Sequence, residues 1–257
     1  GQGNNGGDAY VAGRYLLSAG YRVVAIQSRP IPECRPLCRD THLRFLQAKG
    51  TVIPFDPAIP IEFPRRSVIL DGLFGTGFYG TVREPYASLI RSANASGCPI
   101  IAVDIPSGLD GESGMVEGPI ICATETIYLG LPKTGFFLVE GWNNVGTLRG
   151  VDFGLPERMV EQAQSTLWLP HFDQLYSLLP PIRRDRHKYQ TGLVVGLAGS
   201  PGMPGAAILS IFAALRGGAG IVRLLHPEGM QAELAACPPE VIRVAYSVQN
   251  ISGVVDA

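Results

Sequence analysis

The chain has 257 residues, 46% of them apolar, and a net charge of −1. That length accommodates one large domain or two modest ones, and the near-neutral charge gives no footing for a nucleic-acid or membrane partner. No apolar run approaches the roughly 20 residues of a membrane span. The five cysteines, Cys34, Cys38, Cys98, Cys122 and Cys237, are odd in number and lack the paired spacing of a zinc site, so reduced thiols in a cytoplasmic protein are expected.

In chain order, the first feature is Gly1-Gln2-Gly3-Asn4-Asn5-Gly6-Gly7-Asp8. Glycines let backbone N–H groups approach a ligand closely, and a helix that follows aims its positive end at the same spot. The stretch therefore predicts an anion-holding loop, with a helix over Ala9–Ser18 that stops at Gly20. It formally fits G-x-G-x-x-G, a weak match when alone. The acidic residue usual about 20 positions on is missing, since the next strand ends at Ile26-Gln27; this argues against an ordinary nicotinamide dehydrogenase.

Tyr21–Ile26 reads as a buried strand, Asp40 or Thr41 as the cap of a helix running to Lys49 and closed by Gly50, and Thr51–Phe55 as a short strand. Ser67–Leu70 predicts a strand ending in Asp71, Glu84–Ala95 a helix, Pro99–Val103 a strand ending in Asp104, and Thr126–Leu129 another strand. Strands alternating with helices predict an α/β fold, a parallel sheet with helices on both faces. Regular alternation ends at Gly154-Leu155-Pro156. A helix is expected over Glu157–Gln164, then the charged run from Arg183 to Lys188. A second α/β pattern begins at Gly192, with a helix over Ala206–Arg216 and a strand over Ile221–Leu225.

Two strands end in a carboxylate followed by a glycine-bearing loop: Asp71-Gly72-Leu73-Phe74-Gly75-Thr76-Gly77 and Asp104-Ile105-Pro106-Ser107-Gly108. Ligands of open α/β sheets bind outside the carboxyl ends of the strands, so Asn5, Asp71 and Asp104 should converge on one rim. Asn5, Asp71 and Ser107 offer hard oxygen ligands, which suit Mg²⁺, Ca²⁺ or an alkali cation and not zinc. Lys133, after another strand, either meets a phosphate or is solvated. His187 and Lys188 read as surface residues or as part of a second site, and His42, His171 and His226 receive no role. With no initiator Met and no strand ahead of the glycine stretch, the chain reads as an internal piece of a longer protein.

Together, Gly3–Asp8, Leu70–Gly77, Val103–Asp110 and Gly130–Gly135 resemble the NAD(P)H-hydrate epimerase domain of the NAD(P)H-hydrate repair enzymes. His187-Lys188, Gly192–Ser200 and Gly205–Gly220 resemble the start of their ADP-dependent, ribokinase-like dehydratase domain. The resemblance implies a Rossmann-like three-layer parallel sheet over 1–153, a connection over 154–186, and the first part of the dehydratase domain over 187–257.

It further implies epimerisation of R- and S-NADHX or NADPHX, coupled in the longer parent to dehydration of the S form with ADP (or ATP). Asn4, Asn5, Gly6, Gly7 and Asp8 would bind substrate, as would Gly75, Thr76, Gly77, Phe78, Tyr79, Gly80 and Thr81. Asn5, Asp71 and Ser107 would hold K⁺; Asp104 would contact substrate and act as the acid–base group. Ala206 would line the dehydratase site. Two residues depart from the family pattern: Ala9 and Tyr189 stand where glycines are usual. The dehydratase nucleotide loop and its catalytic aspartate have no counterpart in the chain. Self-association stays open. The rival readings are a non-catalytic nucleotide-binding or scaffold module of the epimerase fold, and a ribokinase-like small-molecule kinase.

Overall fold

In the computed structural model, which describes residues 1–64, 66–162, 167–170, 172–179, 181 and 183–247, the glycine stretch is the opening of a helix. Helix α1 spans Asn4–Ser18, with Gly3 as its N-cap. The expected start at Ala9 is thus corrected. Glycine disfavours helix interiors, but here it is needed for close approach: a Cβ on Gly6 would lie 2.1 Å from the Gly1 carbonyl oxygen. At Gly7 the second helix comes close, with the Thr41 hydroxyl 3.3 Å from where a Cβ would stand.

Strand β1 covers Val24–Gln27 and helix α2 Pro36–Gln47. Pro36 sits in the first turn, where its missing N–H costs nothing, so neither Asp40 nor Thr41 caps the helix. Cys38, Thr41, His42 and Phe45 recur at helical spacing and form the buried face of α2. They pack with Tyr10 of α1 over β1 and over β2 (Thr51–Pro54). Lys49, at φ 65°, and not the expected Gly50, takes the left-handed conformation after α2.

The remaining strands of this part are β3 (Ile69–Asp71), β4 (Ile100–Val103), β5 (Glu125–Leu129) and β6 (Thr147–Val151). Helix α3 (Tyr86–Ala95) follows β3, and the short α4 (Gly141–Asn144) precedes β6. All pairs are parallel, as expected, but the strands form two sheets, β1-β2 and β3-β4-β5-β6. Ile90, Ile100, Ile121, Val82 and Tyr86 fill a core between α3 and the second sheet. Ile105, Leu109, Phe136 and Val145 fill another. Strand β6 escapes sequence reading because it is largely exposed and carries Arg149 and Gly150 amid few apolar residues.

The chain divides into two compact units, Gly1–Trp168 and Leu169–Ala257. The first ends with α5 (Glu157–Gln162); the rest of the helix expected to Gln164 lies outside the described residues, as does His171. The second unit contains α6 (Phe172–Leu178), β7 (Leu193–Leu197), α7 (Gly205–Arg216), β8 (Ile221–Pro227) and β9 (Val241–Tyr246). Its strands form a parallel sheet in the order β7-β8-β9. Its core is Ala207, Ile211, Val222, Leu224, Met230 and Leu234. Among the described residues, no helix is long and apolar enough to cross a membrane.

Candidate active site

Strand β3 delivers Asp71 into the interior, where its side chain is only 3% exposed. The loop after β4 meets it with Ser107, which is fully buried. Ser107 donates its hydroxyl to Asp71 Oδ1 at 2.6 Å and its backbone N–H to Oδ2 at 2.7 Å. The Leu73 N–H adds a third bond to Oδ1 at 3.1 Å. The Ser107 hydroxyl oxygen also accepts the Phe74 N–H at 2.9 Å. Burial pushes the Asp71 carboxyl above its ordinary range, and the bonds from Ser107 and Leu73 work against that shift.

Asn5 joins the same cluster from α1. Its amide nitrogen donates to the Phe74 carbonyl at 2.5 Å. Its Oδ1 is buried and has no hydrogen-bond partner among the described residues. An orphaned buried acceptor costs about 1–3 kcal/mol. Beside it lies a buried carboxylate with no side-chain ion pair among the described residues. This donor set, an amide oxygen, a carboxylate and a hydroxyl, fits a hard cation. No group of three or more His, Cys, Asp or Glu suited to a metal occurs among the described residues. Glycine makes the convergence feasible: a Cβ at Gly72 would fall 2.5 Å from Ala9 Cβ, and one at Gly75 would lie 3.2 Å from Asn5 Cβ.

Asp104 closes β4 in a left-handed conformation, φ 67°. Its Oδ1 receives Lys133 Nζ at 2.6 Å and the Leu129 N–H at 3.2 Å. Both partners of the ion pair are mostly buried, with 17% of the Lys133 and 15% of the Asp104 side chain exposed. Lys133 is therefore neither solvated nor left free for a phosphate alone, as its sequence context suggested. Nothing in the sequence pairs it with Asp104 across 29 positions; only the adjacency of β4 and β5 does. Asp8, on the second turn of α1, faces the same charge: burial first, and then Asp104, raise its carboxyl above the usual range.

The loop expected to hold substrate lies beside these groups. Gly75 and Phe78 are half-buried, while Thr76, Gly77, Tyr79, Gly80 and Thr81 are exposed. Phe78 stacks on Phe74, which ties the loop to the Asn5 cluster. The Thr81 hydroxyl donates to Glu117 at 2.9 Å. A hollow lined by Phe78, Gly80, Gly108, Asp110 and Glu117 opens next to it. Gly6 and Gly7 are buried and Asn4 is exposed at the helix start, where no side chain caps the first-turn amides. The structure thus gathers Asn5, Asp71 and Ser107 into one cluster and brings Asp8, Asp104 and Lys133 into another.

Ala206 belongs to the second unit, where it is exposed on the first turn of α7. His187 and Lys188 are exposed too. His42 is buried edge-on against Tyr10, and His226 is buried with Nδ1 on the Pro227 carbonyl at 2.8 Å.

A parallel α/β unit with an uncapped glycine-bearing helix start beside two acidic strand ends is the architecture of a small-molecule site on a sheet's carboxyl edge. Residues 1–135 match the family described as YjeF-related protein N-terminus, and the chain belongs to that family. A relative from Moorella thermoacetica, named bifunctional NAD(P)H-hydrate repair enzyme Nnr, is 34% identical over 95% of this chain and 47% of its own length. Those of Gloeobacter violaceus and Escherichia coli, with the same name, are 37% and 35% identical over 94% of this chain and 48% and 46% of theirs. The chain thus spans about half the length of the curated relatives it matches. The crystal structure of the yeast protein YNL200c has a TM-score of 0.50 and 24% identity, covering 68% of this chain and 73% of the yeast chain, a likeness of fold.

Proposed function

We propose that the first unit interconverts the R and S forms of hydrated NADH or NADPH, with Asp104 transferring the proton. The reacting carbon bears both the ring nitrogen and a hydroxyl, so it is a hemiaminal. A base takes the hydroxyl proton, the carbon–nitrogen bond breaks with its electrons going to nitrogen, and nitrogen takes up the proton. Rotation presents the other face of the aldehyde so formed, and closure reverses the steps. One proton carrier within hydrogen-bond reach serves both directions. Asp104 carries this reading: it is a strand-end carboxylate beside the α1 start, with one oxygen bonded and the other unengaged among the described residues.

Asn4, Asn5, Gly6, Gly7 and Asp8 would bind the dinucleotide together with residues 75–81. The uncapped amides of α1 supply donors for its phosphates at little ordering cost. K⁺ is the cation proposed for Asn5, Asp71 and Ser107, where it would supply a fixed positive charge next to the substrate; the orphaned Asn5 Oδ1 supports that choice.

The first unit's catalytic part is proposed to be 1–153, joined through 154–186 to the beginning of a dehydratase domain at 187–257. There Ala206 would meet substrate, and ADP (or ATP) would drive loss of water from the S form. The full names of the relatives support that pairing. The free cysteines support a cytoplasmic setting.

The test is to supply R-NADHX and follow S-NADHX by chromatography, with K⁺ present and replaced by a larger quaternary ammonium ion. Interconversion that exceeds the spontaneous rate, and more so with K⁺, is expected. Tight binding of NADHX without interconversion would instead make the unit a non-catalytic module.

A further inference from the structure

We propose that Lys133 is a positioning residue for this epimerisation: it and the Leu129 amide tie down one oxygen of Asp104 so that the other is presented to the substrate. The inference rests on the epimerase reading above and adds a residue that the reading does not use.

Both donors reach the same atom. Lys133 Nζ lies 2.6 Å and the Leu129 N–H nitrogen 3.2 Å from Asp104 Oδ1. Among the described residues no hydrogen bond engages Oδ2. A carboxylate turns easily about its last torsion, which has broad, roughly two-fold preferences. Two donors on one oxygen remove that freedom and fix which lone pairs face outward. The backbone helps, since Asp104 is held at φ 67° with its N–H on the Ile127 carbonyl at 2.8 Å.

Lys133 is itself anchored. Its ammonium also reaches the Leu129 carbonyl at 3.3 Å, and its stem passes Gly111, where a Cβ would lie 3.6 Å from Lys133 Cγ. Its backbone precedes a short 3-10 segment, Thr134–Phe137, whose Phe136 is fully buried. A lysine on a free stem would lose much rotamer entropy on pairing; this one is ordered by the fold before substrate arrives. The other charged group facing Asp104 is Asp8 from α1, which repels it and makes a fixed cation on the far side the more effective orienter.

The test compares steady-state epimerisation of R-NADHX by the full-length protein and its Lys133→Ala and Lys133→Arg variants. Misplacing a reacting group by about 1 Å costs on the order of 100-fold. Lys133→Ala should therefore lose about 100-fold in kcat with KM within about twofold of the unsubstituted protein. Methylammonium, which can donate to Oδ1, should restore about tenfold of that loss. Tetramethylammonium, which has no N–H, should restore nothing. Lys133→Arg should stay within about tenfold of the unsubstituted kcat.

A raised KM with unchanged kcat would overturn the proposal, because the lysine would then be holding substrate phosphate. So would a kcat loss that neither methylammonium nor arginine repairs. Should Lys133→Ala not fold, the same criteria apply to Lys133→Met. Asp104→Asn is run beside them. If it keeps full kcat, the epimerase reading of Asp104 has failed; if it is inactive while Lys133→Ala keeps the kcat and KM of the unsubstituted protein, only the positioning role has.

Discussion

The two acidic strand ends look like twins in sequence and are opposites in the structure. Asp71 and Asp104 each close a parallel strand and each precede a glycine-bearing loop. Asp71 is sealed in and pinned by three hydrogen bonds, two of them from Ser107 of the other loop. Asp104 is ion-paired on one oxygen and open on the other. One loop layout thus yields a carboxylate locked into a buried hydrogen-bond cluster and a carboxylate held by an ion pair on one oxygen. The difference comes from what faces each strand end: a serine and an amide in one case, a lysine and a second aspartate in the other.

That contrast can be broken most forcefully at Asp71. Asp71→Ala leaves the Ser107 and Leu73 donors buried without an acceptor, at about 1–3 kcal/mol each. We predict that the first unit fails to fold or melts at least about 10 °C lower, read by circular dichroism. An unchanged melting temperature would show that the cluster is not structural.

Asn5→Leu probes the proposed cation directly. Saturating K⁺, at a hundred times its Kd, would stabilise the unsubstituted unit by about 2.7 kcal/mol. The substitution removes the orphaned Oδ1 and should abolish the K⁺-dependent part of the melting temperature. A K⁺ response that survives it would place the cation elsewhere.

Asp8→Asn is the smaller probe and its sign follows from linkage. Burial and Asp104 raise the folded-state value of Asp8 above its ordinary 3.8. The folded form therefore holds the proton more tightly than the unfolded one. That advantage is complete below 3.8 and is lost as pH rises through the folded value. At neutral pH Asp8→Asn should raise the melting temperature slightly, by about 1–2 °C once solvent screening is allowed for, with no rise in strong acid. A gain that is equal at all pH values would contradict this account. Smallest of all, Glu117→Gln should change stability by less than about 0.5 kcal/mol, because its bond to Thr81 is exposed. A larger loss on chemical denaturation would mean that the 75–81 loop is held more firmly than its exposure implies.

Much of the architecture is legible in the sequence for a plain reason. Apolar runs such as Ile100–Val103 are short, bounded by turns and alternate with helical patterns, so the parallel α/β plan and the carboxylates at its strand ends can be read directly. The pairing of Ser107 with Asp71 follows the same logic, since both stand at the carboxyl ends of adjacent strands. What escapes is set by contacts distant in sequence. The glycines before Ala9 suggest a loop, yet they are helical because their missing side chains let Gly1, Thr41 and the turn after β3 crowd α1. Lys133 offers no pattern of its own; it becomes the partner of Asp104 only when β5 lies against β4. Strands β6 and β9 lack a clean alternation of buried and exposed positions.

The measurement that bears most directly on the division between the two carboxylates is the R-to-S conversion rate of NADHX together with the melting temperature, in Asp104→Asn and Asp71→Asn side by side. The account predicts that Asp104→Asn loses at least about 100-fold in rate, well beyond any loss of folded protein read from its melting curve, and that Asp71→Asn melts clearly lower than the unsubstituted protein. An Asp104→Asn protein that epimerises at the unsubstituted rate would contradict it.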